Sequence, residues 1–264
     1  MNSSDQNANE TTETTHRSRW QRFSPSMGWK AFWSEILIVI LGVLIALAAN
    51  EAVQDWSWRN KVQDGEVRLQ GDVAYLFKLS AEQYSVTPCT LLQLQVLSQK
   101  LVHSSSAWTP VTVHIDDGSN VPFIIRMPAR PHVFPVWDSL LADGTAARFP
   151  QDRQAFYGAV SARITRTQNQ NDDANQLGRR LLALGHPMAL SDDTRRYFLV
   201  MTEEIRALIT GAELGSKQRM TAIAEFGSAP EAKQVEAYLK ESRSVKFCKA
   251  NGYPLADWRS YKTQ

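Results

Sequence analysis

Few residues of this chain are spaced for chemistry, and most of those that are lie in its middle third. His114-Ile115-Asp116-Asp117 would set an imidazole beside two carboxylates, the makings of a proton-transfer pair. The same residues also read as a strand running into an Asp-Gly turn, since Gly118 follows. In "RPHVFPVWDSLL", prolines and aromatics surround His132, Trp137 and Asp138, and a ligand pocket at these three residues is one reading. Packing of Phe134 and Trp137 into a core, with Asp138 in the first turn of a helix, is the other. His103 closes a helical stretch and His186-Pro187 follows Gly185 in a turn, so neither needs a ligand.

Cys89 and Cys248 are the only cysteines. In an oxidising compartment an even count invites a disulfide, which in the chain-entropy model would stabilise the fold by up to about 5 kcal/mol. Two buried free thiols are the alternative. No CxxC or HxxxH spacing supports a metal, and no GxSxG, HExxH, Gly-rich phosphate loop or calcium loop occurs. We therefore assign no catalytic residue, no cofactor and no metal. With 29 Lys plus Arg against 27 Asp plus Glu, the balance implies no nucleic-acid partner.

The elements that would position these residues begin with an apolar run. Ile36 to Ala49 carries no charge, but at 1.5 Å per residue it spans only about 21 Å of a hydrocarbon layer about 30 Å thick. The flanks extend it. Trp29 and Trp33 precede the run and Trp56 and Trp58 follow it, in the positions where indoles anchor a helix at two membrane interfaces. Glu35 and Asn50 then fall at the edges, where water reaches them. Ala46-Leu47-Ala48 also has the small-x-small form of a signal-peptide cleavage site, a rival that would export the same downstream chain. Arg17, Arg19, Arg22 and Lys30 before the run outweigh Arg59, Lys61 and Arg68 after it, which favours a cytoplasmic N-terminus.

At 100° per residue, Glu35, Gly42, Ala46, Ala49 and Val53 share one side of this helix. Small residues let membrane helices approach closely, so a homodimer paired through this face is one expectation. The segment "FWSEILIVILGVLIALAANEAVQDWSWRNKV", Phe32 to Val62, resembles the opening signature of a large group of uncharacterised bacterial single-pass membrane proteins. Glu35, Gly42, Leu44-Ile45-Ala46-Leu47 and Trp58-Arg59 carry the likeness. "TPCTLLQLQVLSQKL" and "PVWDSLLADGTAARFPQDRQAFYGA" look like later landmarks of the same group. The resemblance implies an uncleaved anchor and a bacterial origin, and no activity.

The expected organisation is a disordered cytoplasmic tail at 1–30, a transmembrane signal-anchor helix at 31–54, and an exported periplasmic α-helical domain at 55–264 with a β-hairpin near 110–126. The fold class is mainly α: the membrane helix continues into a helical bundle with a small β-hairpin insertion. Val62, Leu69, Val73, Leu76 and Leu79 extend the first helix, and a turn near Ser85 to Pro88 should lead into a second, striped by Leu94, Leu97 and Leu101. Short and long helices follow from Pro135 and from Gln151 to Leu184. Another is capped by Ser191 and buries Tyr197, Met201, Ile205, Leu208 and Ala212. A last helix covers Pro230 to Ser244. The functional expectation is a protein-interaction or scaffold component of the bacterial inner membrane, its partners the lipid bilayer and an unidentified envelope protein. A ligand-sensing or regulatory subunit is the alternative, and an envelope enzyme the third.

Overall fold

The computed structural model describes residues 29–110, 113–114, 120–121, 125–128 and 130–262. The tail read as disordered lies outside them, as do Ile115 to Ser119 and with them most of the His114-Asp117 cluster. Six α-helices dominate the described residues: α1 Trp29–His103, α2 Pro135–Ala142, α3 Gln151–Arg180, α4 Asp192–Glu225, α5 Ala232–Glu241 and α6 Arg243–Ala250. Two short antiparallel pairings join them among the described residues. β2 (Val113–His114) pairs with β3 (Asn120–Val121), the expected hairpin, and β1 (Ala107–Trp108) pairs with β4 (Met188–Ala189). The chain divides into two compact units between Ser57 and Trp58.

In the first unit, an apolar stretch of α1 presents its side chains outward, with Leu37 65% and Ile45 62% exposed. An 18-residue window of α1 has a mean hydropathy of 2.5 and none of it is buried, so the helix is long and apolar enough to cross a membrane. Trp29 packs against Phe32 and Trp33, with ring centroids 6.2 and 6.1 Å away.

The second unit has two large apolar cores. One holds Leu69, Val73 and Phe77 of α1, Trp137 and Leu140 of α2, Tyr157 and Val160 of α3, and Met220 and Ile223 of α4. The other holds Leu94, Leu97 and Leu101 of α1, Leu181 and Leu184 after α3, and Phe198, Met201 and Ile205 of α4. The order of cores reverses on α4, which therefore runs antiparallel to α3. Gly65 permits one close approach, since a Cβ there would stand 3.0 Å from Leu140 of α2.

The expected turn at Ser85–Pro88 does not form: α1 continues through Pro88 to His103. A proline removes one backbone bond and crowds the preceding turn, which ordinarily breaks a helix. Here residues 79–87 are almost wholly buried, so packing holds them from several sides. Thr87 and Thr90 also donate to the Gln83 and Val86 carbonyls, at 2.8 and 3.2 Å. Cys89 thus lies inside a helix and does not open one. α1 ends where Arg195 of α4 donates to the carbonyls of Leu101 and Ser104.

Other boundaries follow the sequence closely. Ser191 caps α4, its Oγ accepting from the Thr194 amide at 3.2 Å. Along α4, Met201, Ile205 and Ala212 are buried as expected, but Tyr197 is 51% exposed and Phe198 takes the core position. The single last helix is in fact two, because Ser242 leaves helical geometry and caps α6, accepting from the Val245 amide at 3.2 Å.

Candidate functional site: a polar layer and an arginine-lined cleft

Between the two apolar cores lies a buried polar layer. It takes Ser80, Glu82, Gln83 and Thr87 from the middle of α1, Thr167 and Asn171 from α3, and Ser216 and Arg219 from α4. On each helix these residues fall between the stretches that serve the two cores, so helical spacing alone places them at one level. Arg219 has no exposed surface. Its guanidinium donates to three hydroxyls: Ser80 Oγ at 2.7 Å, Thr167 Oγ1 at 3.0 Å and Ser216 Oγ at 3.4 Å. Burial, aided by the nearby charge of Arg163, pulls its pKa down to about 10, so it remains a cation at neutral pH.

Glu82 is the layer's buried carboxylate, 2% exposed. It accepts from Tyr238 Oη at 3.0 Å and from Ser242 Oγ at 2.5 Å, and it faces Arg130 Nε at 3.3 Å. Burial weighs against the Arg130 charge, but the Glu82 carboxylate, together with Tyr238 and Tyr75, outweighs it and holds the guanidinium above its ordinary range. Burial also raises the Tyr238 phenol, and the adjacent Glu82 charge adds to the effect.

Arg130 belongs to an irregular stretch that runs up to α2, and side-chain amides hold that stretch in place. Gln93 of α1 grips Arg126 on both sides, accepting from its amide at 2.8 Å and donating to its carbonyl at 3.4 Å. Gln168 of α3 accepts from the His132 amide at 2.7 Å. The imidazole of His132 is buried, with Asn171 Nδ2 3.4 Å from its Nδ1. Burial and the charge of Arg219 drive its pKa down to about 4, against a hydrogen bond to the Arg130 carbonyl, so the ring is neutral at pH 7.

The same stretch forms one wall of a cleft of about 560 Å³. Four arginines line it: Arg126 and Arg130 from the irregular stretch, Arg179 from the last turn of α3 and Arg243 from the first turn of α6. Ser244 and Asn175 add polar groups, and Ile125, Met127 and Leu182 add apolar ones. No Asp or Glu lines the cleft among the described residues, and only Arg130 of the four pairs with a carboxylate among them. Arg126 is steadied by the Phe247 ring, 5.4 Å from its guanidinium carbon.

Of the three residues offered for a pocket, none lines this cleft. His132 joins the polar layer, Trp137 packs in the first core with its ring tilted against Tyr157 at 5.5 Å, and Asp138 is exposed in the first turn of α2. Those burials account for two of the three, and the helix turn for the third. Cys89 and Cys248 do come together: their sulfurs stand at disulfide distance, 2.11 Å, with Cα atoms 6.0 Å apart in a small cluster with Val86, Val245 and Phe247. Glu35, Gly42, Ala46 and Ala49 are all exposed on α1, and a Cβ on Gly42 would meet nothing within 4 Å among the described residues. Trp29, Trp33 and Trp56 are exposed, whereas Trp58 is half-buried with Lys61 and Arg148 over its ring, at 4.6 and 5.1 Å.

Glu82, Gln93, Arg219 and the four cleft arginines were not singled out in the sequence. The signal for the first two was a run of polar residues at helical spacing, Ser80, Gln83, Thr87 and Thr90, interrupting an apolar stripe. Among the described residues, no group of three or more His, Cys, Asp and Glu is placed to hold a metal ion. No protein-family model matches the chain, and neither a curated protein nor a solved structure matches it.

Proposed function

We propose that this chain is a single-span protein of a bacterial inner membrane, with its N-terminus in the cytoplasm and its second unit in the periplasm. There the helical domain acts as an interaction or scaffold component of the envelope, holding another envelope protein near the membrane. The observation that carries the reading is the apolar stretch of α1, whose side chains face outward and are left unburied by the described residues. An aqueous surface would tolerate such a patch poorly, and a bilayer satisfies it. Supporting it are the tryptophans at both ends, the excess of Arg and Lys upstream, and the resemblance to bacterial single-pass proteins. The Cys89–Cys248 pair fits an oxidising compartment.

Two measurements test this. A reporter that works only in the periplasm, fused after Gln264, is expected to be active, and activity of a cytoplasm-only reporter at the same place would overturn the orientation. Crosslinking in intact membranes is expected to capture one recurring envelope protein. Capture of nothing beyond abundant bystanders would remove the scaffold role.

A further inference from the structure

We propose that the arginine-lined cleft is a binding site for a small organic phosphomonoester. This goes beyond the scaffold reading and does not depend on it, because the site is complete within the second unit whichever side of a membrane that unit occupies.

Glu82 neutralises Arg130 from below, at 3.3 Å, whereas Arg126, Arg179 and Arg243 pair with no carboxylate among the described residues. Three uncompensated guanidiniums around one concavity repel each other, and a multiply charged anion relieves that repulsion. Geometry then selects among anions. The donors come from three separate elements: the irregular stretch, the end of α3 and the start of α6. A planar carboxylate takes a two-pronged fork from one direction, but a tetrahedral phosphate with three terminal oxygens accepts from several.

The start of α6 adds neutral donors. Ser242 already satisfies the amides of Val245 and Lys246, which leaves those of Arg243 and Ser244 without a partner inside the helix, at its positive end. Ser244 lines the cleft. The site is also built rather than improvised: Gln93, itself buried, fixes the Arg126 backbone through two hydrogen bonds, and Glu82 fixes Arg130.

Inorganic phosphate would not fill about 560 Å³, a volume typical of organic ligands. Ile125, Met127 and Leu182 provide an apolar surface for the ester's organic part. Gly178 contributes by what it lacks, since a Cβ there would come within 3.1 Å of the Met127 methyl.

The test is calorimetric titration of the full-length protein in detergent micelles with phenyl phosphate, inorganic phosphate and benzyl alcohol. Phenyl phosphate is expected to bind at least tenfold more tightly than inorganic phosphate, and benzyl alcohol not measurably. Arg179→Gln and Arg243→Gln are each expected to weaken phenyl phosphate tenfold or more, since each removes a charge-assisted hydrogen bond. Arg196→Gln, on the exposed face of α4, should leave it unchanged. A fourth arm uses a short-chain, water-soluble phosphatidic acid. Binding tenfold tighter than phenyl phosphate identifies a lipid headgroup as the source of the phosphomonoester, and equal or weaker binding a soluble metabolite. Absence of binding by phenyl phosphate, equal binding of benzyl alcohol, or affinity unchanged in both arginine variants would each overturn the proposal.

Discussion

Glu82 and Arg130 stand 3.3 Å apart with opposite exposures, the carboxylate side chain 2% accessible and the guanidinium 40%. The pair is therefore asymmetric. Removing Arg130 leaves a carboxylate still served by Tyr238 and Ser242, and a half-exposed pair of this kind contributes about 1 kcal/mol or less. Removing Glu82 strands two hydroxyl donors and the guanidinium together. Urea unfolding of Glu82→Ala should show a loss of about 3 kcal/mol, well above that of Arg130→Ala. Equal losses would mean that the two hydroxyls contribute nothing.

The buried cation makes a second prediction. Thr167 Oγ1 donates to the Arg163 carbonyl and accepts from Arg219, so Thr167→Val keeps the shape and deletes one acceptor of a desolvated charge. We expect a loss of about 1.5–3 kcal/mol. In an Arg219→Met background the same change should cost under about 0.5 kcal/mol, because the charge that needed the oxygen has gone. A double-mutant cycle with no coupling would refute the arrangement.

His132 gives the fold a pH dependence of definite sign. Its folded pKa of about 4 lies below the ordinary 6.5, so between those values the unfolded chain binds the proton and the folded one does not. Stability contributed by the neutral ring is complete above pH 6.5 and falls as the pH drops towards 4, by at most about 3 kcal/mol. Unfolding midpoints measured from pH 7 to pH 4 should fall more steeply for the wild-type protein than for His132→Gln. Parallel slopes would show that the ring titrates normally.

Gly42 is a clean probe of pairing between membrane helices, since an added Cβ there meets nothing within 4 Å among the described residues. Gly42→Leu should leave the circular dichroism and unfolding of the protein unchanged. If two copies pair through Glu35, Gly42, Ala46 and Ala49, it should also reduce crosslinked dimer in membranes severalfold. Undiminished dimer would place the contact elsewhere.

The readable parts of this fold were the local ones. Pro135 and Ser191 mark helix starts within a single turn, and the pairing of Val113 with Val121 spans one short hairpin. Pro88 misled because its local preference was overridden by burial that residues far along the chain supply. The shift from Tyr197 to Phe198 is one residue, or 100° of helix, and the apolar pattern permits either. Ser242 breaks the last helix partly to reach Glu82, 160 residues away, and nothing near Ser242 announces that partner. The cleft was equally hidden. Its arginines come from positions 126, 130, 179 and 243, each unremarkable among its neighbours, and only the tertiary fold gathers them.

The contact between Cys89 and Cys248 has a consequence for wear. Once oxidised, it closes a ring spanning 159 positions that contains the hairpin, α2 to α5 and every connection between them. A protease that nicks any one of those connections cuts the polypeptide without releasing a piece. On a gel run without reductant the nicked protein should migrate near its full 29.7 kDa, and reductant should split it in two. The bond thus keeps the C-terminal segment tethered to the apolar helix after the chain that first joined them has been severed.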